Sequence, residues 1–210
     1  MSDSATPAPS RRSYVQTPSQ TVGPFFEYAL PYDGGPNLVP GHYTNAIRLH
    51  GTVYDGDGAP VPDALIEIWQ ADETGTLVRN LGSLDRDGYT FTGFGRASVN
   101  LAGHYTFTTV RPGAVGDSAP YILVTIFARG LMHHLFTRVY FPEDADAHLS
   151  DTVLAAVPAD RRGTLIAVAD GTGPADGTGT DRANAAGAGS YRFDIRLQGD
   201  NETVFLDFDA

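Results

Sequence analysis

The sequence predicts an all-β fold, a sandwich of short strands, on three observations. Apolar residues recur at every second position: in NAIRLHGTVY, Ile47, Leu49 and Val53 alternate with Arg48, His50 and Thr52. Glycine and proline are abundant, 24 and 14 in 210 residues, and cluster between the alternating runs, where they make turns. The only long helical candidate, DTVLAAVPADRRGTLIA, is interrupted by Pro158 and Gly163.

The elements follow in order. NAIRLHGTVY is the first strand, and YDGDGAPVPDA is a turn-rich connection into the second, ALIEIWQA. GHYTFTTV, PYILVTIFA and HLFTRVYF continue the series. Near the C-terminus Tyr191, Phe193, Ile195 and Leu197 alternate with Arg192, Asp194, Arg196 and Gln198, and GDNE turns the chain into TVFLDF, read as a last strand. Between Asp170 and Ser190 the chain is Gly, Ala, Thr and Asp with hardly an apolar residue, which predicts a surface loop at about 170–190. Residues 1–16 read as a flexible tail and 17–210 as a single domain, a size that suits one core.

Composition excludes several function classes. A hydrophobic content of 41% with 19% charged residues is that of a globular chain. A formal net charge of -11 argues against nucleic acid or an anionic membrane as partner, because both need a basic surface. The chain has no cysteine, so disulfides, thiolate metal sites and a cysteine nucleophile are excluded. No apolar run reaches the length of a membrane span, and the first residues lack the apolar core of a secretory signal. The expected location is the cytoplasm.

Generic chemical motifs have plain explanations. DGDG and DRDG offer aspartates at alternate positions, as calcium loops do, but neither runs on to the terminal glutamate, and Asp-Gly pairs between strands make turns. Of the six histidines, His133 and His134 are adjacent on an expected strand and would point to opposite faces, while His42, His50, His104 and His148 are scattered. The Gly-x-Ser-x-Gly nucleophile elbow is absent, and so is a strand-helix repeat to display it. Trp69, the only tryptophan, reads as a core residue.

One stretch resists a plain reading. TPSQTVGPFF, close to the start, is uncharged and runs through Gly23 and Pro24 into Phe25 and Phe26. Gly23 lets another group approach the backbone, Pro24 sets the turn, and Phe25 offers a rigid apolar surface to an aromatic ring. Such a segment is poorly ordered in water unless it packs against something.

Together with HGTVYDGDGAPVPDALIEIWQAD, FGRA, GHYTFTTVRPG, IFARGLMHHLFTRVYF and YRFDIRLQGDNETVFLDF, this stretch resembles the intradiol ring-cleaving dioxygenases, specifically the alpha subunit of their two-subunit members. The resemblance covers Thr17 to Phe208 apart from the 170–190 loop. It implies a β-sandwich in an alpha-beta complex repeated into a larger hetero-oligomer. It also implies cleavage of 3,4-dihydroxybenzoate by O2 to 3-carboxy-cis,cis-muconate at non-heme Fe(III), held in the family by two tyrosinates and two histidines. At the positions that match those ligands this chain has Leu77, Val115, Tyr121 and Leu123. The resemblance therefore implies that this chain holds no iron or catalytic residue of its own, is inactive alone, and has a beta subunit that binds the metal. Thr21, Gly23, Pro24 and Phe25 match a wall that the alpha subunit builds for the partner's iron pocket, and Arg129 matches an arginine near it. Two alternatives stand beside this reading: a β-sandwich binding module without an enzymatic partner, and an intradiol enzyme acting alone with unusual ligands.

Overall fold

A computed structural model describes residues 15, 17–79, 86–170 and 189–208. The expected tail lies almost wholly outside these residues, as does most of the 170–190 loop. Two sheets form the body. In the first, β4 (His104–Val110), β1 (Ala46–Tyr54), β8 (Ser190–Arg192) and β7 (Val168–Ala169) lie side by side, and β9 (Ile195–Arg196) also pairs with β1. The second has the order β3 (Phe94–Ser98), β2 (Leu65–Gln70), β5 (Tyr121–Phe127), β6 (Leu135–Tyr140).

Alternation decides what lies between the sheets. Leu49 and Val53 of β1, Phe107 of β4, Ile66 and Ile68 of β2, and Ile122, Val124 and Ile126 of β5 meet in one core. All are essentially inaccessible to solvent, and each buried aliphatic side chain is worth roughly 1.5–3 kcal/mol. Gly51 belongs to this face by necessity, because a Cβ there would overlap the carbonyl oxygen of Phe193. A second, smaller cluster gathers Ala119, Tyr140, Leu154, Val157 and Leu165 at one end of β5 and β6.

The helical stretch is broken before Pro158, as expected, but Gly163 does not interrupt it: it lies inside the turn that follows. The stretch forms α3 (Thr152–Ala156) and a 3-10 turn at Arg162–Leu165. Among the described residues the other helical pieces are short: α1 (Phe26–Ala29), a 3-10 turn at Pro142–Asp144 and α2 (Ala145–His148). No helix of the described residues is long and apolar enough to cross a membrane.

Several expectations need correction. Trp69 is not in the core: it is 45% exposed, because it alternates with the inward-facing Ile66 and Ile68. Phe94, 4.7 Å away between ring centroids, flanks it. FGRAS, not read as a strand, is β3 and pairs along β2. The Tyr191–Leu197 alternation survives but is split into β8 and β9, both parallel to β1. At the break Thr52 N–H donates to the Asp194 carboxylate (3.0 Å) and Tyr105 Oη–H donates to the Phe193 carbonyl (2.5 Å), so side chains replace ladder partners. TVFLDF is not a strand. It contributes an isolated bridge, Leu206 to Phe136. His133 and His134 lie in the connection between β5 and β6, not on a strand. Asp170 and Ser190, the limits of the predicted loop, are joined by a backbone hydrogen bond of 2.9 Å.

Candidate functional site

The Thr17–Phe26 stretch forms an arm, whose Ser19 Oγ lies 3.4 Å from His133 Nδ1. Thr21 Oγ1 accepts a hydrogen bond from Gly130 N–H at 3.1 Å. Beyond Phe26, Arg96 on β3 donates to the Leu30 carbonyl (2.7 Å) while ion-paired with Glu67 (2.6 Å). Between the anchors Gly23 has φ +78°, a conformation that favours glycine, and a Cβ there would meet nothing in this chain. Pro24 follows, exposed. The two phenylalanines then divide: Phe26 is 6% exposed and fastens the arm to its own chain, whereas Phe25 is 74% exposed. Phe26 is the one buried residue of the stretch: Thr17–Val22, Pro24 and Phe25 are exposed and Gly23 is half-buried.

Arg129 is brought to the same place by a turn. Leu131 N–H donates to the Ala128 carbonyl (3.2 Å), and Gly130 at φ +92° occupies the position that type II turns reserve for glycine. The Arg129 side chain is 61% exposed and its Nε lies 2.7 Å from Oδ2 of Asp63. A cleft of about 270 Å³ separates the arm from this region, with Ser19, Gln20 and Val22 on one side and Phe127, Met132 and His134 on the other. The structure thus brings Thr21 and Arg129, distant in sequence, onto one turn. It also reveals Asp63, which sequence reading missed. The β2–β5 ladder ends at Leu65 opposite Phe127, and the turns just beyond that pair carry Asp63 and Arg129.

The positions matched to metal ligands lie at the other end of β5. Tyr121 and Leu123 share its outer face, with Trp69 of β2 and Arg138 of β6 as register neighbours of Leu123. The Arg138 guanidinium stacks over Tyr121, 3.9 Å from the ring centroid. Arg138 Nη1 donates to Tyr140 Oη at 3.2 Å. The turns carrying Leu77 and Val115 touch, since Gly113 N–H donates to the Asp72 carbonyl at 2.8 Å. Leu77 is 53% exposed and Val115 half-buried. Leucine and valine side chains have no lone pair to offer, and one tyrosine with a cation stacked on it does not make the hard anionic set that ferric iron needs. The residues here do not fit the metal.

A buried carboxylate organises this end. Asp151, inaccessible to solvent, accepts from the N–H groups of Ala119 (3.0 Å), Val153 (2.9 Å) and Leu154 (2.9 Å) and from Tyr140 Oη–H (3.1 Å). It caps α3 and ties it to the approach to β5 and to β6. Burial, with the Asp151 carboxylate adding to it against the opposing Arg138, pushes the Tyr140 phenol up to about 12.

The other motifs resolve locally. Asp55 accepts from the N–H groups of Asp57 and Ala59, and Asp87 from those of Tyr89 and Thr90, so both Asp-Gly motifs are turn-capping carboxylates. Hydrogen bonds from Thr90 hold the Asp87 carboxyl down at about 2. Sequence reading scattered the histidines. The structure sets His50 and His104 3.4 Å apart, with Asp170 Oδ2 2.7 Å from His50. Among the described residues no group of three or more His, Asp and Glu is placed to hold a metal ion.

Comparison with known proteins matches a family model described as Dioxygenase to residues 40–119. The protocatechuate 3,4-dioxygenase alpha chain of Burkholderia cepacia is 40% identical over 205 residues, covering 91% of this chain and 97% of that one. The alpha chain from Pseudomonas putida is 37% identical, covering 92% and 96%. A beta chain from Burkholderia cepacia is 30% identical over 75% of this chain and 66% of its own. Among solved structures, a hydroxyquinol 1,2-dioxygenase from Pseudomonas putida DLL-E4 shares the fold, with a TM-score of 0.56 at 20% identity, covering 89% of this chain and 68% of that one. Such identity across nearly the whole of two alpha chains is decisive: this chain belongs to the protocatechuate 3,4-dioxygenase alpha-chain family of the intradiol dioxygenases.

Proposed function

We propose that this chain completes, from its arm and the β5–β6 turn, a ferric pocket whose metal is bound by a beta chain. The complex would cleave 3,4-dihydroxybenzoate with O2 to 3-carboxy-cis,cis-muconate. The observation that supports this most is the Thr21–Gly130 hydrogen bond, which ties the segment leading into Gly23–Phe25 to the turn that carries Arg129. Phe25 offers an uncovered aromatic face to the substrate ring, and Gly23 lets the ligand or the partner's backbone approach. Arg129 supplies the local cation that an anionic substrate needs against a chain charge of -11. Substrate and ring-opened product are both anions, so the same charge serves entry and product stabilisation.

Iron enters this reading only through the partner, since Leu77, Val115 and Leu123 cannot coordinate it. The family's chemistry requires non-heme iron, and the proposal assigns it to the beta chain. The test is expression of this chain with and without that beta chain. The complex should carry iron, the visible absorption of ferric tyrosinate, and ring-cleaving activity. This chain alone should have none of the three. Stoichiometric ferric iron and turnover in the isolated chain would overturn the proposal.

A further inference from the structure

We infer that Asp63 is a positioning residue for ring cleavage, acting through Arg129; the inference rests on the proposed role of Arg129. Asp63 lies in the turn two residues before β2 begins and has a side chain only 15% exposed, against 61% for Arg129. The fixed member of the pair is therefore the carboxylate, and the mobile one is the arginine. A long side chain at the tip of a turn samples many rotamers, and each ordered one costs conformational entropy. Asp63 meets the guanidinium at Nε, the edge nearest the aliphatic stem, at 2.7 Å. Contact at that edge restricts the direction in which the far edge of the planar guanidinium points.

The restraint is built from the sheet. The β2–β5 ladder ends at Leu65 opposite Phe127, and Asp63 and Arg129 lie two residues beyond that pair, in the turns that flank the two strands. Gly130, next to Arg129, simultaneously holds Thr21 of the arm. Asp63 thus links the rigid second sheet to the turn that carries both the arm's anchor and the cation. Lost restraint would blunt the response to a charged substrate while leaving the response to an uncharged one intact.

The experiment uses the complex with its beta chain and four variants: Arg129→Leu, Asp63→Asn, Asp63→Glu, and the double Asp63→Asn/Arg129→Leu. Each is assayed with 3,4-dihydroxybenzoate and with catechol, which lacks the carboxylate, and each is checked for assembly and thermal unfolding. Asp63→Asn should lower kcat/KM for 3,4-dihydroxybenzoate about three- to tenfold with catechol unaffected. Asp63→Glu should recover most of the loss, and the double variant should match Arg129→Leu alone. A silent Asp63→Asn beside an impaired Arg129→Leu overturns the positioning role and leaves the reading of Arg129 standing. Parallel losses for both substrates, or additive losses in the double variant, make Asp63 a framework residue and overturn the inference. If Arg129→Leu itself is silent, the underlying assignment of Arg129 falls, and the inference falls with it.

Discussion

Strand β5 joins two regions that hold themselves together by opposite means. At its start, Tyr121 and Leu123 are backed by Arg138 and Tyr140, and the buried Asp151 ties the preceding Ala119 to α3. At its end, the turn that carries Arg129 is held by one ion pair to Asp63 and one hydrogen bond to the arm, with the arginine mostly in solvent. The Asp151 carboxylate, buried with four donors in place, contributes strongly to stability, although Arg138 Nε beside it is buried without a partner; exposed pairs contribute little. The end that carries Tyr121 and Leu123 is therefore the buried, structural one, while the end that carries Arg129 leaves its cation in solvent. A regular ladder carries both, because backbone pairing does not depend on which outward side chains it presents.

That contrast breaks if substitutions at the two ends behave alike. The largest effect belongs to Asp151→Ala, which strands three N–H groups and a buried phenol. Loss of about 3 kcal/mol of stability is expected, measured by denaturant unfolding of this chain. If the protein were unaffected, Asp151 would not be the organising group described.

Arg129→Leu should do the reverse. In the complex kcat/KM falls by about ten- to a hundredfold, the worth of one charge-assisted hydrogen bond. Stability should change by no more than about 0.5 kcal/mol, because the pair is exposed on the arginine side. Loss of assembly with normal turnover in the remaining complexes would make Arg129 an interface residue instead.

The alkaline limb sharpens the structural side. Tyr140 is raised from 10.0 to about 12, so the folded state favours the protonated phenol. Its stabilisation is complete below pH 10 and is lost as pH climbs from 10 through about 12. Tyr105, fully buried, is raised as well and adds to the same limb. Tyr140→Phe should cost about 1 kcal/mol at neutral pH, through the lost bond to Asp151, and make stability fall less steeply above pH 10. An unchanged alkaline slope in circular-dichroism titrations would mean that Tyr140 does not titrate with unfolding.

The smallest effect is expected at Gly23→Ala. The φ of +78° costs a residue with a Cβ about 1 kcal/mol locally, although no atom of this chain stands in its way. Since the arm is tied at Thr21 and at Leu30, the strain should shift the projection rather than unfold the body. Thermal unfolding of the isolated chain should be unchanged while the complex shows a few-fold rise in KM. Equal destabilisation of both would place Gly23 in the framework.

Much of this was already legible in the chain as written. Period-two alternation depends only on the opposite directions of successive side chains in a strand, so Leu49, Val53, Ile66, Ile68 and their counterparts announced a sandwich without any knowledge of pairing. Aspartate and glycine chemistry likewise marked the turns at Asp55 and Asp87. Even the outward position of Trp69 was present in its alternation with Ile66 and Ile68; the bulk of a lone tryptophan outweighed that signal. The absence of donor atoms at Leu77, Val115 and Leu123 is a matter of composition alone.

Partners across the chain were another matter. Thr21 meets Gly130, Asp63 meets Arg129, Asp151 meets Ala119, and His50 meets His104 and Asp170 only after strands distant in sequence are set in register. The same holds for the contrast between Phe25 and Phe26, neighbours of one chemistry that burial separates into an anchor and an exposed face. Local patterns specify which side of a strand a residue occupies. Which residue waits on the other side is decided by long-range pairing and by the close approach of backbones, such as Gly51 to Phe193, that no local period encodes.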